Sequence, residues 1–70
     1  MNNLDVTGLS CPMPVVKVKE AIEADQLPLR VKVDTGAPRD NIKRLAQHLG
    51  LAAQEEAAEA GTFILELRRA

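Results

Sequence analysis

The segment from Leu29 to Asp34 alternates apolar and charged side chains without interruption. Successive side chains of an extended strand point to opposite faces of a sheet, so this segment predicts a strand with one apolar and one charged face. A strand of this kind buries its apolar face only if another layer covers it. The rest of the chain must therefore supply that layer.

Two segments have the periodicity of amphipathic helices, and each could cover the sheet. In the first, from Pro12 to Asp25, apolar residues recur at helical spacing at Val15, Val18 and Ile22. In the second, Pro38 suits a first helical turn and Gly50 suits the end of a helix. Its apolar stripe comprises Ile42, Leu45, Ala46 and Leu49.

Three further segments complete the prediction. Residues 4–7 and 62–68 alternate as strands do. Residues 51–60 are rich in helix formers, but the last strand needs a neighbour for its backbone groups. We therefore favour a strand there, in a hairpin turning near Gly61. The order is β-α-β-α-β-β, which predicts an α/β two-layer sandwich: a mixed four-stranded sheet with two helices on one face, forming a single domain over residues 1–70.

Composition excludes several classes of function. The formal net charge is −1 and Phe63 is the only aromatic residue, so the chain has neither a strong basic field nor a platform for stacking bases. Arg30, Lys32, Arg68 and Arg69 could place a small positive surface on the open sheet face. One cysteine cannot form an internal disulfide, and neither a bilayer-spanning run nor a signal-peptide pattern is visible. We expect a cytoplasmic monomer that does not bind membranes.

Cys11 stands in the stretch GLSCPMP, where a strand gives way to a helix. A thiolate at a helix N-terminus is stabilised by the helix dipole. If the helix begins at Pro12, Cys11 is its N-cap and the Met13 N–H is the expected donor to sulfur. If it begins at Pro14, the thiol lies about one turn ahead of the helix. A buried, unreactive cysteine is the competing interpretation.

The turn DTGAPRDN carries the other candidate residues. Asp34 ends a strand and Arg39 opens a helix, on the sheet edge where we also expect Cys11. We therefore take Met13, Asp34 and Arg39 as candidate contacts of the thiolate or of a partner. A nearby guanidinium would favour a thiolate or persulfide anion, although Arg39 could equally be a solvated charge. His48 lies near the end of the second helix, where the dipole alone explains it. One Cys and one His cannot fill a tetrahedral metal site, so we expect neither metal nor cofactor.

The segment LDVTGLSCPMPVVKVKEAI resembles the N-terminal signature of the TusA/SirA-like sulfur-carrier family, whose hallmark is Cys-Pro-x-Pro at the first helix. The segment VKVDTGAPRDNIKRLAQHLG is similar to the YedF-like branch of that family. The resemblance implies the same β-α-β-α-β-β sandwich. It implies that Cys11 carries sulfane sulfur as a persulfide, with Gly8, Pro12 and Pro14 as the structural motif around the thiol. The x position is Met13, where better-known members carry a charged residue.

The resulting hypothesis is a sulfurtransferase-like carrier. Cys11 would take sulfur from a donor protein of the cysteine desulfurase or rhodanese type and pass it to an acceptor protein. The acceptor pathway could be tRNA thiolation, cofactor sulfur or selenium metabolism. The alternatives are a regulatory or protein-interaction module with an unreactive Cys11 and, less favoured, an RNA-binding domain.

Overall fold

The computed structural model describes residues 2–70, which form four strands and two helices in the predicted order. The strands are β1 (Asn2–Asp5), β2 (Leu29–Asp34), β3 (Leu51–Ala57) and β4 (Thr62–Arg69), and the helices are α1 (Met13–Glu23) and α2 (Ala37–His48). Their sheet order is β1-β2-β4-β3. The pair β1–β2 is parallel, whereas β2–β4 and β3–β4 are antiparallel, so the sheet is mixed as predicted.

The register of the two central strands places apolar residues opposite one another. Leu29 pairs with Leu67, Val31 with Leu65, and Val33 with Phe63. The core contains ten buried residues: Val6, Val18, Ala21, Leu29, Val31, Val33, Ile42, Ala46, Leu65 and Leu67. No charged or polar side chain among residues 2–70 is buried with them. The core is thus made of aliphatic side chains, with Phe63 at its margin.

The open face of the sheet carries ion pairs instead of the expected positive surface. Arg30 lies 3.5 Å from Glu66, and Arg68 also pairs with Glu66. Lys32 lies 2.9 Å from Glu59, whose hydrogen bond and negative charge raise the pKa of Lys32 above 10.5. Arg69 alternates with the buried Leu65 and Leu67, so it lies at the helix side of the sheet, where it pairs with Asp25 across 2.8 Å. The small positive surface considered from the sequence does not form, because Arg30, Lys32 and Arg68 each have a carboxylate neighbour and Arg69 lies on the other side of the sheet.

Several element boundaries differ from those predicted. The regular part of β1 ends at Asp5, two residues earlier than expected, although the N–H of Val6 still donates to the Lys32 carbonyl at 2.9 Å. In α1, the fully buried positions are Pro14, Val18 and Ala21, while the predicted Val15 and Ile22 are partly buried against the core. Leu49, placed on the stripe of α2, is 46% exposed because it follows the last helical residue.

The segment 51–57 is a strand, although its residues favour helix. Its ladder with β4 runs from Leu51 opposite Arg69 to Ala57 opposite Phe63. The hairpin closes through the N–H of Ala58, which donates to the Thr62 carbonyl at 3.2 Å. Pairing with β4 outweighs local helix propensity, which amounts to only tenths of a kcal/mol per residue.

Gly50 separates α2 from this strand and should tolerate few substitutions. Its φ is +73°, and its N–H donates to the Gln47 carbonyl at 3.1 Å, as in a helix C-cap with a left-handed residue. A Cβ at Gly50 would meet nothing within 4 Å, so backbone conformation alone sets the cost of Gly50→Ala. We expect Gly50→Ala to lower the free energy of unfolding in urea by about 1–2 kcal/mol. Gly50→Asn should lose less free energy of unfolding, because Asn tolerates the left-handed conformation. Equal stability of Gly50→Ala and the parent would contradict the left-handed C-cap at Gly50.

Candidate functional site

Cys11 lies in the loop between β1 and α1, and its side chain is exposed. Because β1 and β2 are parallel, this loop leaves the same sheet edge as the turn between β2 and α2. The structure therefore brings the thiol loop together with the end of β2 and the start of α2, and Cys11 is not buried.

Two carboxylates hold the first half of the thiol loop. The Oδ1 atom of Asp5 accepts hydrogen bonds from the Thr7 N–H at 2.9 Å and from the Thr7 hydroxyl at 2.6 Å. The Oδ2 atom of Asp34 accepts a hydrogen bond from the Gly8 N–H at 2.8 Å. Gly8 has φ +76°, a conformation that suits glycine. Asp34, predicted as a contact of the thiolate or a partner, is thus tied to the loop backbone.

The second half of the loop runs into the start of α1. This helix begins at Met13, with Pro12 as its N-cap at φ −99° and ψ 15°, so it begins between the two positions predicted. The peptide bond from Cys11 to Pro12 is cis. The Met13 N–H donates to the Ser10 carbonyl at 2.8 Å. The expectation that this N–H serves the sulfur was therefore wrong, because it closes a turn around Cys11 instead.

The side chain of Cys11 borders a small hollow between the two helices. Its other lining residues are Pro12, Pro14, Val15, Pro38 and Asn41. The volume is about 10 Å³, near the space that a single water molecule needs. Pro38 and Asn41 come from the first two turns of α2. Asn41 is the Asn of the turn DTGAPRDN that carries the YedF-like resemblance, but no contact with the thiol was predicted for it.

Arg39 lies in the same first turn of α2, but its side chain engages other groups. Its guanidinium carbon lies 4.7 Å from the centre of the Phe63 ring. Its Nε lies 3.3 Å from Asp40 and 3.8 Å from Glu55. These contacts direct the cation towards β3 and β4. A role of Arg39 beside a thiolate stays a prediction.

His48 lies at the far end of α2 from the hollow. It is the last residue of that helix, ten positions beyond Pro38, which is about 15 Å at 1.5 Å per residue. A Cys–His pair is therefore not formed. Within residues 2–70, no cluster of three or more His, Cys, Asp or Glu side chains could hold a metal ion. The same residues include no helix that is long and apolar enough to cross a membrane.

Three large apolar side chains are exposed in the thiol loop and the first turns of α1. Leu9 is 38% exposed, Met13 39% and Val16 37%. They belong to an uninterrupted run, residues 6–16, that contains no acidic or basic side chain, in a chain of which 27% is charged. The residues next to Cys11 in the sequence are therefore uncharged, and some of them expose apolar side chains.

Comparisons with known proteins identify the class to which this arrangement belongs. The family model described as sulfurtransferase TusA matches residues 2–69. Sulfur carrier protein TusA of Pseudomonas aeruginosa is 33% identical over 69 residues, covering 94% of this chain and 86% of the relative. A protein of Methanocaldococcus jannaschii is 44% identical over 52 residues, covering 71% of this chain and 69% of its own length.

A solved structure confirms the fold independently. The crystal structure of a SirA-like protein from Desulfitobacterium hafniense matches with a TM-score of 0.84, covering 96% of this chain and 95% of the other, at 24% identity. The family-model match over residues 2–69 and the 33% identical relative show that the chain belongs to the TusA family, and the TusA/SirA-like resemblance is confirmed. Its assignment to the YedF-like branch stays a prediction.

The Asp5–Thr7 turn makes stability depend on pH in the acid range. Its two hydrogen bonds, the one from the Thr7 hydroxyl above all, hold the pKa of Asp5 below its ordinary value of 3.8. Their contribution is complete above the unfolded-state pKa and disappears as pH falls through the lower folded-state pKa. We expect Asp5→Asn to have a lower free energy of unfolding than the parent at pH 7. This difference in free energy should become smaller below about pH 4. Urea unfolding checks this, with exposed Glu23→Gln as control; a gap that widens in acid would contradict it.

The Asp34 carboxylate should protect one amide in the thiol loop. Asp34→Ala removes the acceptor of the Gly8 N–H, so that amide should exchange with solvent hydrogen faster, while Asp34→Asn, which keeps an oxygen acceptor, should preserve part of the protection. Amide hydrogen exchange followed by NMR measures both. Unchanged protection of Gly8 in Asp34→Ala would show that the hydrogen bond does not hold the loop.

Proposed function

We propose that the chain is a sulfur carrier in which Cys11 holds sulfane sulfur as a persulfide. The observation that carries this proposal is the exposed thiol of Cys11, held in a braced loop, in a chain that belongs to the TusA family. An exposed thiol can meet the reactive sulfur of another protein without prior opening of the fold. The supporting comparison is the relative named sulfur carrier protein TusA, which is similar to this chain over almost its whole length.

The proposed reaction moves one sulfur atom between cysteines. The Cys11 thiolate attacks the outer sulfur of a persulfide on a donor protein, after its own proton has gone to solvent. A sulfur–sulfur bond forms at Cys11, the donor's sulfur–sulfur bond breaks, and the donor cysteine leaves as a thiolate with the bonding pair. An acceptor thiolate then attacks the outer sulfur on Cys11 in the same way. The chain has no second cysteine that could discharge the persulfide as an internal disulfide.

The partners follow from this chemistry. The donor is a protein that forms a persulfide, of the cysteine desulfurase or rhodanese type, and the acceptor is a further sulfur-handling protein for tRNA thiolation, cofactor sulfur or selenium metabolism. The neutral surface formed by Leu9, Met13 and Val16 supports contact with such proteins, because burying exposed apolar side chains favours association. We further propose that residues 1–70 act as one domain in the cytoplasm, where thiols stay reduced.

Intact mass spectrometry tests the proposal. The purified chain is incubated with a cysteine desulfurase and cysteine, separated from the enzyme, and weighed. We expect a mass gain of one sulfur atom that a reducing agent removes. Cys11→Ser should show no gain, because a hydroxyl does not accept sulfane sulfur under these conditions.

The control separates loading at Cys11 from damage to the fold. Ser10→Ala alters the neighbouring exposed position without touching a sulfur and should load like the parent. Equal sulfur gain in Cys11→Ser and the parent would overturn the proposal. A parent that binds the desulfurase without gaining sulfur would favour a regulatory or interaction module instead.

A further inference from the structure

The hollow beside Cys11 has the dimensions of a one-atom site. Its volume of about 10 Å³ is too small for a peptide or a ligand of several atoms. Cys11 is exposed and is one of the residues that line the hollow, so an atom attached to its sulfur would lie in or beside it. Larger hollows elsewhere do not include the cysteine; the one between α2 and β3, for example, is lined by Asp40, Lys43, Arg44, Gln47, Leu51 and Ala53.

Few hydrogen-bond donors face this hollow. Three of its six lining residues are prolines, which have no N–H. The Met13 N–H, at the helix start beside it, is already bonded to the Ser10 carbonyl, and Arg39 is engaged with Glu55 and Phe63. Among the six lining residues, Asn41 has the only side chain that can donate a nitrogen-bound hydrogen.

The Asn41 carboxamide is also uncommitted. It takes part in none of the side-chain hydrogen bonds among residues 2–70. The residue is half-buried, and the next position, Ile42, belongs to the core, which fixes this part of α2 against the sheet. A donor on a fixed helix beside a thiol can meet an anion at small entropic cost.

We propose that the outer sulfur of a Cys11 persulfide occupies this hollow and accepts a hydrogen bond from the Asn41 carboxamide. The proposal rests on the proposed carrier function and names the residue that binds its cargo. A persulfide anion bears its charge on the outer sulfur, so a donor placed one atom beyond Cys11 stabilises the loaded state. Pro14, Val15 and Pro38 form the apolar remainder of the site.

The pH dependence of persulfide alkylation tests this binding role. The parent, Asn41→Ala and Asn41→Asp are loaded with a cysteine desulfurase and cysteine, and the alkylation rate of the outer sulfur by iodoacetamide is followed by mass spectrometry from acid to alkaline pH. The midpoint is the pH at which the alkylation rate is half its maximum. For loaded Asn41→Ala we expect it to lie about one pH unit above that of the loaded parent, as loss of one hydrogen bond to a charged group predicts. Asn41→Asp should lie higher still, because its carboxylate repels the anion.

Two comparisons distinguish this proposal from a structural effect and from failure of the carrier function. Gln47→Ala removes an exposed amide from the same helix at its other end and should match the parent. In unloaded protein, Asn41→Ala should shift the midpoint of thiol alkylation by less than in loaded protein. Equal midpoints for the loaded parent and loaded Asn41→Ala would overturn the role of Asn41. Equal shifts in loaded and unloaded protein would overturn it too. Neither result would contradict the proposed carrier function. Absence of loading in the parent would instead refute the carrier function itself.

Discussion

The pairing of β2 with β4 is the constraint on which the site depends. Its register sets three inward pairs of apolar residues against the helices, and a slip of one residue would turn all of them to the open face. Burial therefore fixes β2 along its length and fixes the position of Asp34 at its end. The Asp34 carboxylate then holds the Gly8 N–H at 2.8 Å. The position of the thiol loop is thus tied, through one hydrogen bond, to the packing of the central strands.

The loop is fixed on both sides of Cys11, but few hydrogen-bond donors are free to bond its sulfur. Two carboxylates hold the loop before it, and the Met13 N–H closes a turn around it by bonding to the Ser10 carbonyl. Pro12 and Pro14 remove N–H groups that would otherwise face the sulfur. This arrangement fixes the position of the Cys11 sulfur. The reactivity of the sulfur then depends on the neighbouring side chains and on any bound protein. A carrier needs such a balance, since strong stabilisation of its loaded form would slow the delivery of its cargo.

The sequence predicts the fold well because its patterns are local. The alternation of residues 29–34 and the helical stripes specify a two-layer sandwich, and the need to pair β4 identifies 51–57 as a strand against its propensity. The site is less predictable. The position of Arg39 over Phe63 depends on how α2 packs against β4, and the position of Asn41 beside the start of α1 depends on how the two helices pack. Nothing in the local pattern says which polar position of a helix faces a neighbouring loop.

The neutral run of residues 6–16 bears on how one thiol can serve two partners. Charged side chains around the thiol would attract proteins of opposite charge and repel proteins of like charge. Such selectivity suits binding to one partner better than successive binding to two different ones. Met13, two residues after Cys11, is 39% exposed and adds an apolar side chain to this part of the surface. Covering that surface removes water from the sulfur, and electrostatic interactions strengthen as the local dielectric falls. A partner bound to this surface, as proposed, would therefore also change the reactivity of the Cys11 sulfur.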